Sequence, residues 1–242
     1  MKLLAWSLVL LCVLSFFLRN QFESNVSLDS RLLNEPLQYA DEHQRKQLPF
    51  EDRQYFVDRK FRYELYGMVV SFREHDGDQM LHKSWGDHLN IADVCVVWSD
   101  TAQSPFLNQI DFWNGQFTCN VRTSSNEAWQ SFNMNQLSNN HLISADPYIR
   151  KKITDINIGD QIVIKGWLSE YGNDQGAIRG TSIRRDDTGN GACETIYVEQ
   201  FEVVREAKRL WNKLFTVSSA LLLLMLAWYF FSPYKPRAEK SH

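Results

Sequence analysis

Hydrophobic positions cluster at the two ends of the chain. The run from Leu3 to Leu18 holds Trp6, Ser7, Cys12 and Ser15 but no charge, with Lys2 before it and Arg19 after it. About 16 residues at 1.5 Å each reach roughly 24 Å, slightly short of a bilayer core of about 30 Å. Cleavage of a leader needs small residues in an A-x-A-like pattern. The stretch Ser15-Phe16-Phe17-Leu18-Arg19-Asn20 has none, so an uncleaved signal anchor is expected rather than a cleaved leader. The run from Leu214 to Phe231 is also uncharged. It has about 18 residues, the length of a membrane span. Trp211 and Lys213 flank one end, and Trp228, Tyr229, Lys235 and Arg237 lie near the other, as interfacial anchors do. The expectation is two transmembrane helices, at 3–18 and 214–231, with a terminal tail at 232–242. Long loops translocate largely regardless of charge. The signal-like start therefore places both termini in the cytoplasm of a bacterial cell and the intervening residues in the periplasm.

Between the ends the pattern changes twice. Residues 19–60 are polar, with Pro36, Pro49 and mixed charge, and read as a membrane-proximal stalk. From Phe61 onward strand formers dominate. Tyr63, Leu65, Gly67, Val69 and Ser71 alternate with Glu64, Tyr66, Met68, Val70 and Phe72. Further strands are expected at Ile91–Trp98, Gln161–Glu170, Ala177–Ile183 and Glu194–Val204. Asn114-Gly115 predicts a type I′ hairpin between Ile110–Trp113 and Gln116–Val121. Residues 126–153 read as a helical insert, with Asp146-Pro147 as N-cap and first turn of its last helix. Residues 206–213 read as a juxtamembrane helix. The fold class is mainly β: a small, partly closed, antiparallel, OB-like barrel over 61–205 with a helical insert, flanked by two transmembrane helices.

Composition narrows the function classes. The net charge of −3 gives no electrostatic case for nucleic-acid binding. Ordinary charge (23%) and abundant aromatics (13%) exclude wholesale disorder. No cofactor-binding motif is present. The expected partners are the membrane and a protein of the envelope.

Cysteine and histidine carry the candidate chemistry. Cys95, Cys119 and Cys193 lie in the domain, and an oxidising compartment favours pairing two of them. Cys95–Cys119 is the first choice, since both lie in early strands that can be neighbours. Their loop of roughly 24 residues is worth about 3 kcal/mol in the chain-entropy model. Cys119–Cys193 is the competing pair, and three buried thiols are expected if the domain is cytoplasmic. His75, His82 and His88 lie among Asp76, Asp78, Asp87 and Asp93, but their spacings match no zinc pattern and Asp76-Gly77-Asp78 is no EF-hand loop. A solvated polar loop without metal is expected there. Asp187-Thr188-Gly189 follows Arg184, Arg185 and Asp186, surroundings unlike the apolar site of paired catalytic carboxylates. It reads as a glycine-rich turn. His141 and Cys193 make a base and nucleophile, with Arg184 or Arg205 as oxyanion partner. The first expectation for Cys193 is nonetheless a structural thiol pointing inward.

The order His141, a Gly-Asp strand, Cys193, then Arg205 resembles sortases, membrane-anchored β-barrel transpeptidases. Their cysteine follows a Leu-x-Thr strand, whereas Cys193 follows Gly-Asn-Gly-Ala. A longer resemblance covers residues 84–199. It runs through Ser138–Pro147 (SNNHLISADP), the strand beginning Gly159-Asp160, and Arg184–Glu194 (RRDDTGNGACE). It resembles a family of bacterial membrane-anchored proteins with an S-A-N-M-H-L-I-P-A-like segment and a D-T-G-x-G-A-C-E motif. The chain departs from that pattern at Asn139-Asn140, Ser144 and Gly180-Thr181. The resemblance marks Asp93, Trp98, His141, Arg184, Asp187, Gly191, Cys193 and Glu194, and it implies no activity. The function expected first is a non-catalytic periplasmic binding or accessory module, with Asp93, Trp98, Asp187 and Glu194 as binding candidates. The alternative is a sortase-like thiol acyl transferase or peptidase using Cys193 and His141.

Overall fold

The computed structural model describes residues 2–23, 27–184, 193–208 and 210–231. In chain order these form α1 (Lys2–Leu18), β1 (Leu37–Phe50), β2 (Arg53–Glu74), α2 (Met80–Trp85), β3 (Asn90–Val97), α3 (Ser99–Gln103), β4 (Asp111–Asn114), β5 (Cys119–Arg122) and α4 (Asn126–Gln130). They continue with β6 (Leu137–Ile143), α5 (Pro147–Thr154), β7 (Gln161–Asn173), β8 (Ile178–Arg179), β9 (Glu194–Arg205) and α6 (Leu210–Phe231). Two units result: Phe22–Ala207, and the terminal segments that carry α1 and α6.

Among the described residues only α6 is long and apolar enough to cross a membrane. Its 22 residues extend to about 33 Å, whereas the 17 of α1 reach about 25 Å. The two-helix expectation is corrected to one candidate span. α1 packs on α6 within their unit, with Cys12 Sγ 3.3 Å from Ser219 Oγ and Phe16 against Phe215. The separate juxtamembrane helix is also corrected. β9 runs to Arg205, and Leu210–Lys213 already belongs to α6.

The β unit is a large mixed sheet that pairs as a ring. β2 pairs with β3, β3 with β6, β6 with β9, β9 with β7, and β7 returns to β2. All of these are antiparallel except β6–β9, which is parallel. The wholly antiparallel expectation fails there because α5 and β7 intervene and return the chain in the same direction, the long crossover that parallel pairs need. Leu65, Val69, Val94, Val96, Leu142, Ile162, Ile164, Ile196 and Val198 fill the ring, and Ile149 and Ile153 of α5 pack against them. Gly166 lies where β7 meets β9, since a Cβ there would strike the Tyr197 carbonyl.

Three further expectations change. Residues 37–60 form no stalk: β1 pairs along β2 through a turn at Glu51–Asp52. β1 is an almost wholly exposed edge strand, so no apolar alternation marks it. The helical insert 126–153 contains a central strand, β6. It is polar on both faces, with Ser138 and Asn140 on one and Asn139 and His141 on the other. The β4–β5 hairpin turns through Gly115–Thr118, with Phe117 at φ 61°, rather than at Asn114-Gly115. Residues 99–136 cover the outer face of β3, where Met68, Val70, Cys95 and Val97 meet Leu107, Ile110, Ala128 and Phe132.

Candidate functional site

Strand register brings the chemistry together. Asp93 of β3 lies directly across from His141 of β6, and Cys95 across from Asn139. β6 pairs in parallel with β9 from Asn140↔Glu194, so Cys193 enters the sheet beside Asn139. Alternation then puts Asp93, Cys95, Asn139 and His141 on the outer face, beneath the tip of the β4–β5 hairpin.

Asp93 has no exposed surface. His141 Nδ1 donates to its Oδ1, and His75 Nε2 lies 2.9 Å from the same oxygen, at an angle unsuited to a hydrogen bond. Asp93 Oδ2 has no hydrogen-bond partner. Burial raises the Asp93 carboxyl, but the bond from His141 and the charges of His141 and His75 hold it well below the usual carboxylate range. Burial likewise pulls His141 down. The bond to Asp93, the Cys193 thiol beside the ring and the Asp93 charge outweigh it and raise His141 to about 9. With Nδ1 on Asp93, Nε2 is the nitrogen left for the thiol.

Cys193 is half-buried and free. It faces the hairpin tip rather than the ring interior, so the expected inward-pointing thiol is corrected. Its Sγ–H donates to the Phe117 carbonyl at 3.4 Å, and Asn139 Nδ2 reaches the sulfur at 3.4 Å and the same carbonyl at 3.1 Å. The disulfide joins Cys95 to Cys119 with Cα atoms 5.9 Å apart, which ties the hairpin to β3. Asn114 supports it, donating to Cys95 Sγ at 3.2 Å.

The Phe117 ring is the hub of the aromatic cover. It stacks on Trp85 at 5.6 Å, meets His82 at 5.3 Å, and lies 6.1 Å from both His75 and His141. The Arg179 guanidinium sits 3.8 Å above it. His75 and His82 stack at 4.1 Å. They line an open cleft of about 610 Å³ whose rim includes Glu51, Glu74, Asp78 and Gln116. His88 lines the same cleft and pairs with Glu51 at 2.7 Å. Among the described residues no group of three or more His, Cys, Asp or Glu is arranged to hold a metal.

The remaining sequence candidates lie elsewhere. Trp98 is a core residue whose Nε1 donates to Glu35 at 3.2 Å. Glu194 is buried on the inner face and accepts from Ser138 Oγ at 2.9 Å. Arg184 is exposed, with its backbone turned onto the Ser182 hydroxyl. Asp187 and Gly191 lie outside the described residues. Sequence reasoning missed Asn139, Phe117 and Arg179. Glycine at 115 marked a hairpin, yet nothing in the sequence said that its tip would cover Cys193. No protein-family model, curated protein or solved structure matches the chain.

Proposed function

We propose that the domain is a thiol-dependent acyl transferase or peptidase, with Cys193 as nucleophile, His141 as its base and Asp93 as the group that orients the histidine. The observation that carries this reading is the placement of Asp93, His141 and Cys193 on neighbouring strands, with Asp93 bonded to His141 Nδ1 and the Cys193 thiol near enough to act on the histidine. Nucleophile, base and orienter in that relation define such a site whatever the fold or chain order. Asp93 fixes the ring so that Nε2 faces sulfur. In the reacting state the thiol proton has passed to His141, whose pKa, raised to about 9, lets it hold that proton at neutral pH. The thiolate adds to an acyl carbon, and the bond to the leaving amine or alkoxide breaks as His141 supplies its proton. Water or a second amine then takes the acyl group from the thioester and gives a proton back to His141. Asn139 Nδ2 is a donor for the oxyanion.

The strand order supports a finer fold assignment. A ring of β2-β3-β6-β9-β7 with β6 and β9 parallel, and α5 between its third and fourth strands in chain order, has OB-type connectivity. Such barrels bind ligands over their second and third strands and the adjoining loops. Here that region is β3, β6 and the segments carrying His75, His82, Arg179 and Cys193. This favours the second reading, a non-catalytic binding module, though by fold analogy alone. The Cys95–Cys119 disulfide supports an oxidising compartment, so we place the domain in the periplasm of a bacterial envelope, tethered by α6.

Alkylation with iodoacetamide at several pH values, followed by peptide mapping, tests the thiol. Cys193 is expected to label in the native protein, and Asp93→Asn to slow that labelling and to shift its pH profile. Turnover of an activated ester is expected to fall by about 10²–10⁴-fold in the same variant. Labelling of Cys193 only after denaturation would leave the binding-module reading standing alone.

A further inference from the structure

Beside the histidine cluster, a recess of about 160 Å³ opens between the end of α2 and the β7–β8 hairpin. Tyr55, Trp85, Tyr171 and Ile178 line it, with Asp87 and Arg179 as its charged residues. The Tyr55 hydroxyl donates to the Gly86 carbonyl at 2.7 Å and the Tyr171 hydroxyl to Asp87 at 2.8 Å. Both phenolic tips are thus engaged, and the rings offer carbon. The volume is close to the roughly 150 Å³ apolar cavity that accepts benzene.

Arg179, beside Tyr171 and Asp87, carries an unsatisfied atom. Its guanidinium lies 3.8 Å from the Phe117 centroid and 5.9 Å from that of Trp85, and its Nη1 is buried without a hydrogen-bond partner. Asp87 is already held by Tyr171, with His82 3.3 Å away. A buried donor left without an acceptor is costly, and a ligand that supplies one gains by it.

We propose that this recess binds a carboxylate-bearing ligand with an apolar group about the size of one ring. The carboxylate sits on Arg179, and the ring lies among Tyr55, Trp85 and Tyr171. A planar guanidinium matches a carboxylate in two parallel bonds, which separates acids from their amides. The carboxyl-terminal residue of a peptide with an aromatic or branched side chain has this chemistry. Arg179 rests on Phe117, whose carbonyl touches Cys193, so the peptide end lies next to the nucleophile. That placement rests on the thiol reading, whereas the binding itself does not.

Calorimetric titration of the full chain in detergent, carrying Cys193→Ala, tests the site apart from any catalysis. The probes are N-acetylphenylalanine, its primary amide and phenyl phosphate. The acid is expected to bind at least about tenfold more tightly than the amide. Arg179→Gln is expected to erase that difference and Arg179→Lys to keep only part of it. Ala177→Leu, which intrudes on the recess, is expected to weaken the acid. Equal affinity for acid and amide, phenyl phosphate binding without the acid, or full discrimination in Arg179→Gln would each overturn the proposal.

Discussion

Asp93 Oδ1 serves two histidines while its Oδ2 has no partner, and this arrangement couples the site to pH. A carboxyl depressed in the folded state stabilises it above the unfolded value of about 3.9, and that contribution is lost as pH falls through the folded value. His141 works in the other direction. It is raised from 6.5 to about 9, so its contribution is complete below 6.5 and lost as pH rises towards 9. The melting temperature is therefore expected to fall between pH 6.5 and 9. His141→Gln should flatten that limb, even if it lowers stability throughout. A limb of unchanged slope in the variant would separate His141 from the effect.

The β4–β5 hairpin depends on its ties more than on its length. Its strands have four residues each, too few to stand alone. The disulfide closes 24 residues of chain, and Ser71 and Cys95 bond to Asn114 next to the hairpin's turn. Replacing Cys95 and Cys119 together by serine is expected to cost about 2–4 kcal/mol in urea unfolding. It should also speed alkylation of Cys193, since Phe117 then loses its tether; an unchanged rate would mean that the hairpin stays in place without the bond. The elements legible in the sequence were those with runs of buried apolar residues. β7 and β9 could be read from runs such as Gln-Ile-Val-Ile and Thr-Ile-Tyr-Val, and the pairing of Cys95 with Cys119 from the closeness of early strands. β6 was hidden because Asn139, Asn140 and His141 are polar residues made burial-tolerant by partners from other strands. His141 and Cys193 were visible as reactive residue types. Their link to Asp93 depends on register, and register depends on β6, so the third member could not be joined to them.

At the scale of the molecule, α6 is the candidate membrane anchor. The full chain is expected to stay with membranes through an alkaline carbonate wash. Leu222→Arg, near the middle of α6, should release a share of it, because a central arginine costs about 2.5–3.5 kcal/mol on insertion. Release of the unaltered chain by carbonate would argue against a span. A phosphatase fusion at Gln103 is expected to be active and one at the C-terminus inactive; the reverse pattern would invert the proposed orientation.

The return of β7 to β2 has a consequence for how the chain is made. β2 finds β1 at once, through a two-residue turn, and β3 soon after, but β7, which pairs along its other edge, is synthesised roughly 100 residues later. At about 5–20 residues per second, that edge waits several seconds with its amides and carbonyls unpaired. Nascent molecules are therefore most exposed to mispairing, and most in need of a holding chaperone, between the emergence of β2 and that of β7. Refolding from denaturant should show the same division, with an early phase for the β1–β2 ribbon and a slower one, in the millisecond-to-second range, for closure of the ring.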